Sequence, residues 1–139
     1  PSNIIIEITE SVFIENFAII NKNIEALTSA GVKFYLDDFG VGYSNFNCIL
    51  ELPLRTVKLD MSITSTNRQM RDNSSMVSVL TDLFHDMGLN VVAEGAENRE
   101  TVENLIRDGV DGIQGYYFAR PMPPEHLRDF LERKNDFNI

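Results

Sequence analysis

Glu7, Asp37, Asp38, Lys58 and Glu94 are the residues whose types and settings could act together. Glu7 lies in Ile4-Ile5-Ile6-Glu7-Ile8-Thr9-Glu10, Asp37 and Asp38 close Phe34-Tyr35-Leu36, Lys58 sits within Thr56-Val57-Lys58-Leu59-Asp60, and Glu94 ends Val91-Val92-Ala93. Each charge falls at or near the carboxyl end of an apolar, β-branched run. A carboxylate in such a place costs several kcal/mol unless it is paired or binds metal. An isolated Asp or Glu at a strand end is usually a turn former or helix cap, but four runs ending alike point to a common purpose. Carboxylates alone, without a nearby Cys or His pattern, make an oxygen-rich cage suited to Mg2+ or Mn2+ rather than zinc. The adjacent pair Asp37-Asp38 suits two ions about 3.5–4 Å apart. Lys58 would neutralise a phosphate or orient a water. Asp60 reads as a cap for the turn after its strand, and Glu97 as a first-turn acid favoured by a helix dipole.

The elements that must carry these residues are five short predicted strands: 4–8, 33–38, 56–60, 90–95 and 112–117. Helical periodicity fills the gaps. Phe17, Ile20, Ile24 and Leu27 recur at three- and four-residue steps before Gly31, and a shorter piece over 46–52 opens at Ser44 or Asn45 and closes at Pro53. A third stripe holds Met76, Val77, Leu80, Leu83, Phe84 and Met87. Asn98 is placed to cap a helix carrying Val102, Leu105 and Ile106, and a last helix starts near Pro124 with Leu127, Phe130 and Leu131 inward. Alternating strand and helix predicts a parallel α/β sheet with right-handed crossovers. Length alone favours an open doubly wound sheet over a (β/α)8 barrel of about 250 residues. No glycine-rich phosphate loop supports that choice, since Gly40 and Gly42 lack a third glycine at the dinucleotide spacing. A barrel converges several strand ends on one point, which is what the charges require.

The chain of 139 residues is 43% hydrophobic and 24% charged, with a formal charge of −9. It reads as a folded chain without an apolar run long enough for direct membrane insertion. Its acidity argues against polymeric nucleic acid as a partner, because a polyanion is repelled before any local contact forms. If the substrate carries phosphate, a cation must help. The single Cys48 excludes an internal disulfide, and with no signal-like segment at the start a cytoplasmic location is expected. The start at Pro1 instead of Met suggests that residues upstream have been removed.

Five stretches carry a resemblance. Glu7-Ile8-Thr9-Glu10, Asp37-Asp38-Phe39-Gly40-Val41-Gly42-Tyr43-Ser44, Val57-Lys58-Leu59-Asp60, Val92-Ala93-Glu94-Gly95-Ala96-Glu97 and Gln114-Gly115-Tyr116-Tyr117-Phe118-Ala119-Arg120-Pro121-Met122-Pro123 resemble, in order and at the family's spacing, successive motifs of the EAL domain family. The resemblance spans Glu7 to Pro123. It implies a partial (β/α)8 TIM-type barrel, about the last five βα units, with residues 1–139 the C-terminal part of a single EAL domain. It also implies a metal-dependent phosphodiesterase that hydrolyses cyclic di-GMP to linear pGpG with Mg2+ or Mn2+, two ions in the intact domain. Residue by residue, it implies Glu7, Asp37 and Asp38 as metal ligands, with Asp37 bridging the ions. Lys58 would contact the attacking water or phosphate, and Glu94 would be a ligand or general base. Gln114 would lie near the substrate, with Arg120 and Pro121 at the rim. Glu10 would steady the loop after Asp38, and Glu97 would support the segment after the fourth strand. Divalent cations also explain how an acidic chain takes an anionic substrate.

Val41 stands where the family usually carries Thr, and Asn45 where Ser is usual. The Glu-Ala-Leu motif that names the family, and the Asn-bearing strand after it, would both precede Glu7; the string Glu25-Ala26-Leu27 falls within the helical stripe of Ile20, Ile24 and Leu27 and does not take that place. The expectation is an active intact parent and an inactive fragment. The alternative is a degenerate EAL domain acting as a non-hydrolysing cyclic di-GMP receptor or as a dimerisation or signalling module. A homodimer or a swapped or associated fragment is expected, because an open barrel exposes strand edges. GGDEF or sensory domains are expected in a parent that could be membrane-tethered through them.

Overall fold

A computed structural model of the chain describes residues 2–9, 13–42, 46–65 and 74–132. Within them β1 (Ile5–Thr9), β2 (Lys33–Phe39), β3 (Thr56–Leu59), β4 (Asn90–Ala93) and β5 (Gly112–Ile113) form one sheet in that order. Every neighbouring pair is parallel. The connections hold α1 (Phe13–Ser29), α2 (Phe46–Glu51), α3 (Met61–Thr64), α4 (Met76–Asp86) and α5 (Arg99–Arg107), and α6 (Pro124–Glu132) follows β5. A doubly wound sheet reverses its strand order at a switch point. This sheet runs in sequence from edge to edge, so right-handed crossovers put the helices on one face, as in a barrel wall.

The two-residue period of a strand decides which side chains meet those helices. Phe34, Leu36, Val57, Leu59, Val91 and Ala93 are buried together with Ile24 of α1, Ile49 of α2, Val77 and Phe84 of α4, and Val102 and Leu105 of α5. Phe84 lies at the middle, its ring 5.2 Å from that of Phe39 and nearly perpendicular to it, and 6.5 Å from the stacked ring of Phe46. β3 is buried on both faces, so Thr56 and Lys58 are buried along with its apolar residues Val57 and Leu59. Helix starts follow local chemistry. The Asn98 side chain accepts from the Thr101 amide, Ser75 from the Ser78 amide, and Asp60 from the Ser62 amide, each leaving one fewer unpaired donor at a helix end.

Several expectations are corrected. β4 ends at Ala93 and β5 at Ile113, short of the predicted 95 and 117. The chain leaves the ladder at Gly95, whose φ is 77°, and beyond β5 it turns at residues 115–118. Leu83, Ile106, Leu127 and Leu131 are exposed rather than inward. One sheet face covers only part of each helix's apolar stripe, and α6 buries no residue fully. Ser44, Asn45 and Glu10 lie outside the described residues. Among the described residues, no helix is long and apolar enough to cross a membrane.

Candidate functional site

The pleat facing away from the helices carries Glu7, Tyr35, Asp37, Thr56, Lys58 and Val92. Parallel register places Glu7 beside Tyr35, Tyr35 beside Thr56, and Lys58 beside Val92, so the carboxyl ends of β1 to β4 meet along one rim. Lys58 Nζ stands there 3.1 Å from Glu7 Oε1, 2.8 Å from Asp37 Oδ1 and 2.7 Å from Glu94 Oε1. An ammonium has three hydrogens, and three carboxylates accept them. The Lys58 side chain is 7% exposed, against 22% for Asp37, 19% for Glu94 and 46% for Glu7. Burial pulls Lys58 toward its neutral form, but hydrogen bonds to Asp37, Glu94 and Glu7 outweigh it and hold the pKa above the ordinary lysine value.

Asp37 and Asp38 would point to opposite faces of a regular strand. The β2–β3 register instead shifts between Leu36 and Phe39, and Asp38 has φ 56°, in the left-handed region that Asp tolerates better than most residues. This irregularity lets Asp38 join Asp37 while Phe39 returns to the core, 3% exposed. Ligand oxygens of Asp37, Asp38 and Glu94 all lie within 4.8 Å of one another. Four carboxylates against one ammonium leave the rim net negative, and the donors that cluster are all hard oxygens. Asp37, Asp38 and Glu94 therefore fit a hard divalent cation such as Mg2+ or Mn2+. Glu7 reaches the cluster through Lys58.

Glu94 lies one residue beyond β4, and its backbone is held from β3 and α3. Its N–H donates to the Leu59 carbonyl at 3.0 Å, and the Thr64 hydroxyl donates to its carbonyl at 2.6 Å. Sequence reasoning passed over Thr64, because neither its type nor its spacing marks it. His85, read from sequence as a surface or boundary residue, is exposed and lies 2.8 Å from Asp111, whose carboxylate also accepts from the Val91 amide. That places the pair at the amino end of β4, away from the rim.

The residues implied near the substrate divide into two groups. Gln114 is anchored by its backbone, donating to Ala93 at 2.8 Å and accepting from the Ala96 amide at 3.2 Å, with its side chain exposed. It lines a cleft of about 210 Å³ with Glu94, Glu97 and Tyr116. Arg120 and Pro121 line a second groove of about 650 Å³ beside β5, with Leu127 and Phe130. The Arg120 guanidinium lies over the Tyr116 ring, 4.5 Å from its centroid, and Gln114 and Tyr116 border both spaces. Asp60 caps α3 as expected. Glu97 precedes the Asn98 cap, outside the helix turn expected for it.

Gly115 sets where Gln114 lies. A Cβ there would come 2.7 Å from the Ala96 carbonyl carbon and closer still to the Ala96 oxygen and nitrogen, backbone atoms that have little room to yield. Gly115→Ala is expected to cost about 1–3 kcal/mol of stability and to weaken any ligand bound beside Gln114. Thermal melting together with ligand titration of the intact parent checks this, and an unchanged melting temperature would count against the close approach.

The sequence pattern described as "EAL domain" matches residues 1–121. The cyclic di-GMP phosphodiesterase RocR of Pseudomonas aeruginosa is 35% identical over 130 residues, which cover 94% of this chain and 33% of RocR. The crystal structure of an EAL domain protein from Listeria monocytogenes EGD-e superposes with a TM-score of 0.81 at 40% identity, covering 93% of this chain and 51% of that one. BlrP1 of Klebsiella pneumoniae, in a complex with manganese and cyclic di-GMP, superposes with a TM-score of 0.77 at 32% identity, covering 87% of this chain and 31% of that one. The chain thus spans about a third of RocR and about half of the Listeria chain.

Proposed function

The chain belongs to the EAL domain family, and from that premise we propose that it is the C-terminal part of a single EAL domain whose intact parent hydrolyses cyclic di-GMP to linear pGpG. The observation that carries this reading is the convergence of Asp37, Asp38 and Glu94 within 4.8 Å at the rim where Lys58 is anchored. Asp37, Asp38 and Glu94, with Glu7 beside them, are assigned to hold Mg2+ or Mn2+, ions that lower the pKa of a water and offset charge on a phosphodiester. Lys58 fixes the orientation of three of these carboxylates and presents positive charge toward a phosphate. Glu94 serves as ligand or as proton acceptor. Gln114 offers its side-chain amide to the nucleotide in the cleft beside Glu94, and Arg120 and Pro121 border the substrate farther out. Glu97 supports the cleft wall, and Glu10 is assigned to steady the loop after Asp38.

About half of a Listeria-type EAL chain supplies part of the cage, so the fragment by itself is assigned no turnover. Ile4 and Ile5, exposed at the open edge of β1, support association of the isolated chain with a second copy or with the rest of the barrel. A second reading rests on Val41. Its amide donates to the Asp38 carbonyl at 3.2 Å, but its exposed side chain has no hydroxyl to offer the loop that carries a metal-site residue. That favours a receptor which binds cyclic di-GMP without hydrolysing it. Incubating the intact parent with Mn2+ and cyclic di-GMP is expected to yield pGpG by chromatography. Binding by calorimetry without product would select the receptor, and neither binding nor product would overturn both readings.

A further inference from the structure

We propose that Thr64 is a positioning residue for Glu94, and that α3 is a wedge setting the distance between the two carboxylate-bearing strand ends. The proposal rests on the metal-binding assignment above. The β3–β4 ladder makes its last bond from the Glu94 amide to the Leu59 carbonyl at 3.0 Å. One more step of a parallel ladder would bring the Met61 amide to the Glu94 carbonyl. Met61 instead opens α3, whose start is capped by the Asp60 carboxylate accepting from the Ser62 amide at 2.8 Å. The Glu94 carbonyl, partly buried, would be left without its ladder donor. The Thr64 hydroxyl, three residues farther along α3, takes that place at 2.6 Å.

α3 also packs against both neighbouring strand ends with no room to spare. A Cβ added at Gly95, the residue after Glu94, would come 2.5 Å from Met61 Cβ. A Cβ at Gly40, two residues after Asp38, would come 2.7 Å from Ile63 Cγ1. Met61 and Thr64 therefore bear on the Glu94 segment, and Ile63 bears on the Asp37-Asp38 segment. Removing the hydroxyl leaves a carbonyl unpaired beside Gly95, whose φ of 77° makes that peptide the easiest to rotate. With that anchor gone, the Glu94 backbone is held on the β3 side only by its amide bond to Leu59, and its carboxylate is free to drift from Asp37 and Asp38.

Thr64→Val removes the hydroxyl at nearly constant volume, and Thr64→Ser restores it. In the intact parent, T64V is expected to weaken Mn2+ binding about five- to tenfold by calorimetry. It is also expected to speed amide hydrogen exchange across residues 94–96 of the metal-free protein, and T64S is expected to recover both. Mn2+ affinity left unchanged by T64V would overturn this inference alone, as would T64S behaving like T64V. No Mn2+ uptake by the unaltered protein would overturn the metal assignment and this inference with it.

Discussion

Asp38→Asn is expected to lower cyclic di-GMP hydrolysis by the intact parent about 10²–10³-fold while leaving its fold intact. Asn keeps the size of Asp and shares its tolerance of the left-handed region, so the backbone at φ 56° is undisturbed. What disappears is one negative charge among ligand oxygens gathered within 4.8 Å. Metal affinity falls because a neutral amide oxygen is the weaker ligand. Stability in metal-free buffer stays level or rises slightly, since repulsion with Asp37 and Glu94 is relieved. Asp38→Ala separates the two contributions, because it loses the charge and also pays about 1–2 kcal/mol for left-handed backbone. Initial rates with saturating Mn2+, read beside urea melts of both variants, give the comparison. D38N turning over within tenfold of the unaltered parent would remove Asp38 from the metal site.

Lys58→Met should have the largest effect on stability, about 2–4 kcal/mol in metal-free buffer. Methionine matches the length of much of the lysine stem but leaves Glu7, Asp37 and Glu94 without the ammonium that now lies 2.7–3.1 Å from each. Glu7 is half-exposed and regains water, which keeps the loss below that of a fully enclosed pair. Because folding raises the Lys58 pKa, its contribution is fully present below the ordinary lysine value and fades only as pH climbs past it. The gap between K58M and the unaltered protein should therefore stay constant across the neutral range and narrow in strong alkali. Added Mn2+ should narrow it at neutral pH, since a bound cation offsets the same carboxylates. A K58M protein as stable as the unaltered one without metal would show that the carboxylates do not depend on Lys58.

Much of the fold is legible residue by residue because its signals are local. The two-residue alternation of Phe34, Leu36 and of Val91, Ala93 marks a sheet face, and Asn98 marks a helix start through a bond to an amide three residues away. Leu83, Ile106, Leu127 and Leu131 carry the same apolar signal as their buried neighbours, and only the width of the covering face separates them. Strand order was not legible in the alternation alone, which fits both an open sheet and a barrel wall; the charges at the strand ends and the motif resemblance pointed to the barrel wall, and the sheet has that order. Thr64 was invisible for a related reason: its hydroxyl matters only through Glu94, 30 residues away in the chain.

The sequence by itself determined the fold class, the family and which charges stand at strand ends, because periodicity, caps and motif order are properties of short stretches. Only the tertiary structure decided how those charges are arranged. Whether Asp38 joins Asp37 depends on an irregularity in the pairing of β2 with β3, and whether Lys58 binds three carboxylates depends on the register of four strands. Register is set by side chains from distant parts of the chain packing together, and no single stretch contains it.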